Sequence, residues 1–256
     1  MIRQPASGLA VASLLAAGTV MTIVWHESVP AMRGMPMPGG WIMSPMWMPM
    51  CGQTWCGAEA AFLGKWAVMM GPMMLPSLLP ALLRYRQAAG RTGETRLAWQ
   101  TALLATGYAF VWMLFGAAVF PLGAALTAVE IDLPAFARAV PIATGVVVLI
   151  AGVLQFTDWK ARHLACWHDL PNQGRTPANA ATTWLLGMRL GVHCGHCSGG
   201  LTAVVLITGM MDPWTMAAVM AAITAERHAG ERAAHVIGAV VMPTGLLLIA
   251  RAAGAG

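Results

Sequence analysis

The chain has 256 residues, of which 58% are hydrophobic and only 10% charged. A water-soluble domain carries roughly 25% charged residues, so this sequence cannot cover a solvated surface and reads as a membrane protein. Its net charge of +5 then records topology, not contact with nucleic acid, and no nucleic-acid partner is expected.

A helix crossing a bilayer needs about 17–25 mostly apolar residues. Such runs fall, in chain order, at about 8–25, 58–83, 98–122, 139–156, 183–211, 213–224 and 233–249. They are too uniformly apolar for barrel strands, which alternate. Only helices then pair every backbone polar group within the segment. The expected fold is an all-α transmembrane bundle of about seven spans, forming one integral membrane domain over 1–256. The first run is read as a retained helix and not a cleaved leader. The sixth is short, and a re-entrant hairpin there would return the C-terminus to the inside. With a cytoplasmic N-terminus, ten Lys and Arg lie on the cytoplasmic side and only Arg33, Arg138 and Arg251 outside, with Lys65 and Arg189 within spans. That asymmetry obeys the positive-inside rule.

Between the first two spans, segment 26–57 is rich in Met and Trp and contains "GGWIMSPMWMPMCGQTWC". Pro36, Pro38, Pro45 and Pro49 forbid a long helix there. Thioether and thiol groups select soft ions, chiefly Cu(I), which makes Met46, Met50, Cys51 and Cys56 candidate capture ligands. An interfacial lid of Met and Trp side chains is the equal alternative. Cys51 and Cys56 can pair as a disulfide on an oxidising face. In the second span Met69/Met73 and Met70/Met74 are i,i+4 pairs, read either as stepping sites for Cu(I) or as packing filler. Pro72, Pro76 and Pro80 interrupt its hydrogen-bond ladder.

After the fourth span, "QFTDWKARHLACWHDLP" places His163, Cys166 and His168 where they can receive a metal. The fifth span carries "GVHCGHCSGG". Counted from residue 183 at about 1.5 Å per residue, this motif lies roughly 15–20 Å deep, near the bilayer midplane. Ionisable groups there are costly and mark function. Residues at i, i+3 and i+4 share a helix face, so His193, His196 and Cys197 are expected to converge, with Cys194 at the edge. Imidazole and thiolate suit zinc, copper and iron, and a Cys-x-x-Cys redox couple is the rival. Gly191, Gly195, Gly199 and Gly200 permit bending or close helix approach. Near the last loop Glu226, Arg227, Glu231 and Arg232 are expected to pair with one another at the membrane surface, and Asp212 to cap the sixth helix. No phosphate loop or nucleophile elbow is present in the sequence, which argues against ATP-driven pumping.

The blocks "GGWIMSPMWMPMCGQTW", "FLGKWAVMMGPMMLPSLLP", "QFTDWKARHLAC", "GMRLGVHCGHCSGGL" and "MAAVMAAITAERH" resemble, in order, the bacterial family of predicted metal-binding integral membrane proteins, domain of unknown function 2182. The resemblance covers about 41–251. It implies a multi-pass protein of the bacterial inner membrane with His193, Cys194 and Cys197 at its metal core. Where that pattern has a second Cys beside Cys197 and Cys166, this chain has Ser198 and Trp167. The departure implies mixed nitrogen and sulfur ligation that draws on His196 and His168.

The expected function is to bind a soft transition metal and to move or deliver it. Copper as Cu(I) comes first, with zinc and iron behind it. The expected partners are the bilayer, the metal ion, and a periplasmic or cytoplasmic metal chaperone or a further membrane subunit. A membrane-embedded redox subunit, or a factor inserting copper into an oxidase, is the alternative.

Overall fold

A computed structural model describes residues 34–49, 52–88, 94–169, 179–208 and 212–254. The structure is mainly helical: α1 (Trp55–Ala88), α2 (Glu94–Asp132), α3 (Pro134–Leu154), α4 (Asp158–Asp169), α5 (Ala180–Thr208), α6 (Pro213–Ala229) and α7 (Glu231–Gly254). Four of these, α2, α3, α5 and α7, are long and apolar enough to cross a membrane. They answer the expected spans at 98–122, 139–156, 183–211 and 233–249. The runs at 58–83 and 213–224 also form helices, α1 and α6, outside that group of four. The run at 8–25 lies outside the described residues.

Among the described residues the all-α expectation meets a short β-hairpin. Strands β1 (Met35–Met37) and β2 (Trp41–Met43) pair antiparallel, with Met35 opposite Met43. Pro38 precedes Gly39 and Gly40, whose φ of 103° and 75° are left-handed, and Gly40 N–H donates to Met37 O at 3.2 Å. Proline followed by a positive-φ glycine is the pattern of a type II turn. The prolines thus forbid a helix here, as expected, and the glycines permit a hairpin instead. The Trp41 indole N–H donates to Ala137 O at 2.9 Å, tying the hairpin to α3. After a 3-10 turn (Pro45–Trp47), the Trp47 ring lies where a Cβ on Gly123 of α2 would stand. Below it Trp47, Phe62, Trp66 and Phe120 form an aromatic column with ring centres 5.2–5.8 Å apart.

Contacts between neighbouring helices fix their relative directions. Phe62 meets Phe120 and Trp66 donates to Trp112 O, so α1 is antiparallel to α2. The α3–α7 pair is also antiparallel and the most extensive. Gly145 faces Gly245 and Gly152 faces Met242, each without room for a Cβ. The α2–α5 pair is parallel. Gly187 sits against the Leu104 backbone, Gly107 against Trp184, and Gly191 against Tyr108 and Val111. Small residues let two backbones touch in this way. Of the four motif glycines only Gly191 makes this close approach. A Cβ on Gly195 or Gly199 would meet open space, and one on Gly200 only ordinary contact with Ala151.

Helix ends follow local chemistry. Asp212 accepts from the backbone N–H of Trp214 and Thr215, the cap expected of it. Gly230, with φ 64°, ends α6, and its N–H donates to Glu226 O at 2.9 Å. That left-handed glycine is a common helix stop.

Candidate metal centre

The close approach of α2 and α5 sets up the site. With Gly187 and Gly191 against α2, the Tyr108 hydroxyl donates to the Cys194 sulfur at 3.1 Å. The Met74 sulfur of α1 lies 3.8 Å from Cys194 Sγ. From α6, Arg227 Nη2 donates to the same sulfur at 3.2 Å. Cys194 and Cys197 are buried. One thiol is therefore touched by four helices: its own, α1, α2 and α6.

A buried charge network adjoins it. Lys160 of α4 pairs with Glu226 of α6 at 2.7 Å, both side chains almost fully buried. The same ammonium donates to the Cys197 carbonyl oxygen. Ser198 donates back to Cys194 O at 2.8 Å. An isolated buried charge is costly, and pairing plus hydrogen bonding is what makes it tolerable. The expectation that Glu226 and Arg227 pair with Glu231 and Arg232 at the membrane surface is thus corrected. Glu226 and Arg227 are 2% and 6% exposed and point into the bundle. Glu231 stays outside, where it meets His235 at 3.9 Å.

Through the Lys160 ammonium the Cys197 carbonyl is tied to the first turn of α4 and, at Glu226, to the last turn of α6.

The histidines leave in another direction. His193 and His196 face His163 of α4, with ring centres 6.5 and 5.5 Å away. His163 and His196 both lie beside Trp159. His193, His196, Cys194 and Cys197 therefore do not gather at one centre. Successive helix residues are about 100° apart, which carries the cysteines inward and the histidines toward α4. Among the described residues no group of three His, Cys, Asp or Glu side chains could hold a metal ion.

The remaining candidates separate clearly. Met70, Met73 and Met74 are buried and Met69 and Met46 half-buried, all against the core that holds Cys194. Cys56 is exposed at the start of α1. Met50 and Cys51 lie outside the described residues, as do the side chains of Cys166 and His168 on α4. The sequence reading missed Tyr108, Lys160, Glu226 and Arg227. The signal available for the last two was an adjacent charge pair closing an otherwise apolar helix.

Four helices long and apolar enough to cross a membrane point to a membrane protein. Residues 63–248 match the model of a family described as copper chaperone, PpoB2. The chain belongs to that family, which ties it to copper. No curated protein and no solved structure matches it.

Proposed function

We propose that this protein binds copper as Cu(I) inside the membrane and delivers it onward. The observation that carries the reading is the sulfur pair, Cys194 Sγ 3.8 Å from Met74 Sδ. Two sulfurs each about 2.3 Å from one tetrahedral ion stand roughly 3.8 Å apart. Cys197, one helical turn on, supplies a third sulfur. Thiolate and thioether donors select Cu(I). A cuprous ion on two thiolates carries a net charge of −1, and Arg227 stands where its positive charge balances it. Copper is the cargo here, and its family's description as a chaperone supports delivery over a permanently held redox centre.

In this reading Met46, Met50, Cys51 and Cys56 capture the ion, Met69, Met70 and Met73 pass it toward Met74, and Cys166 and His168 receive it. The excess of basic residues on one side and the alternating helix directions support seven spans in a bacterial inner membrane, with the N-terminus in the cytoplasm. The test is a Cu(I) titration of the purified full chain against a chromophoric chelator. The wild type should retain about one copper per chain, and a Cys194→Ser, Cys197→Ser variant should lose at least tenfold in affinity, as loss of ligands demands. A folded double variant that holds Cu(I) as tightly as the wild type overturns the reading.

A further inference from the structure

We infer that an open strip of α5 is the docking surface for the chain's own first apolar run, residues 8–25, packed there as a helix. The strip follows from how α5 is held. Gly187 and Gly191 face α2, and Gly200 meets Ala151 of α3. At about 100° per residue, Val192, Gly195, Gly199 and Ala203 lie between these contacts, on the side turned away from Cys194. Val192 is exposed, and a Cβ on Gly195 or Gly199 would meet nothing within 4 Å. The helices α2 and α3 meet each other less than either meets α5, so they do not close over the strip. Phe110 of α2, whose ring meets Trp184, and Leu114 one turn on border it, both exposed.

The place where the described chain begins points to the occupant. Gly34 leads into the hairpin, and the hairpin lies over the junction of α2 and α3: Trp47 sits against Gly123, Gly39 against Arg138, and Trp41 is bonded to Ala137 O. The preceding chain is thereby delivered to the Ala203 end of the strip, with residues 26–33 reaching roughly 25 Å. From Ala137 down α3 to Ala151, beside Gly200, is about 21 Å, and residues 8–25 as a helix measure about 27 Å. The run is long enough to pass Gly199 and reach Gly195. With the N-terminus inside, as in the topology proposed above, it lies parallel to α5. It carries Gly8, Ala12 and Ala16 at four-residue spacing, which matches Gly195, Gly199 and Ala203. Small residues facing small residues bring two helix backbones into contact, and such packing drives helix association in lipid.

This inference goes beyond the Cu(I) reading and does not depend on it. The test is photo-crosslinking of the full chain in its membrane, with Val192→benzoylphenylalanine as the probe. Illumination should join the probe to a peptide within residues 8–25 of the same chain, identified by mass spectrometry in material of monomer size. The same probe at Val240, exposed on α7, should take up lipid only. Adding Gly195→Leu and Gly199→Leu to the Val192 variant fills the strip, and the adduct with residues 8–25 should be lost. Val192 adducts with lipid alone or with a second copy of the chain overturn the inference. So do an adduct that survives both leucines, an adduct of residues 8–25 at Val240, and a mature chain that starts after residue 25. Cu(I) binding at Cys194 is read separately by the titration above, so either reading can fail without the other.

Discussion

The two sides of α5 differ in how they are held. On the inner side Cys194 is gripped by Tyr108, Arg227 and Met74, and Cys197 lies beside a buried Lys160–Glu226 pair. On the outer side the rings of His193 and His196 lie beside rings of one short helix, α4. The sulfurs are locked into the fold, whereas the imidazoles stand on its outer side. Substitutions on the inner side should therefore cost stability, and those on the outer side much less.

The sharpest test of this contrast is Glu226→Ala. It leaves the Lys160 ammonium buried without its carboxylate, and breaking such a pair costs about 3–5 kcal/mol. Denaturant titration in detergent should show that loss. A smaller effect is expected of Gly187→Val, whose side chain has no space against the Leu104 backbone. Forcing α2 from α5 should cost about 1–3 kcal/mol and weaken Cu(I) binding, because Tyr108 and Cys194 separate. Arg227→Gln removes the balancing charge, and Cu(I) affinity should fall about 10–100-fold, the range seen when groups supporting metal ligands are lost. Tyr108→Phe deletes one hydrogen bond to Cys194, worth about 0.5–1.5 kcal/mol in thermal stability. Last, His196→Ala should stay within about 0.5 kcal/mol of the wild type. A loss as large as that of Glu226→Ala would erase the distinction between the two sides.

Much of this architecture could be read from residue types alone. Apolar runs located six helices, Asp212 capped where an acid before a proline should, and Pro36 and Pro38 kept the Met-rich segment out of helix. The hairpin itself needed Gly39 and Gly40 read as turn formers. The candidate site was legible only as a motif. The spacing of His193, Cys194, His196 and Cys197 fixes their angles around α5, but not which neighbours stand at each angle. The parallel meeting of α2 with α5 brings Tyr108 to Cys194 across 86 positions of sequence, a pairing that no local pattern encodes. Lys160 and Glu226 were hidden for a different reason. Charges beside predicted loops ordinarily face water, and only the tertiary structure shows that these two turn inward.

The inner centre is contributed by segments far apart in the chain: Met74, Tyr108, Cys194 and Arg227. Domains form progressively during synthesis, and contacts distant in sequence arrive late. Until the ribosome has released Arg227, the Cys194 thiol lacks its cationic neighbour. On the Cu(I) reading proposed above, copper loading would then be deferred to the end of biogenesis, and a nascent chain stopped before α6 would leave the translation machinery empty.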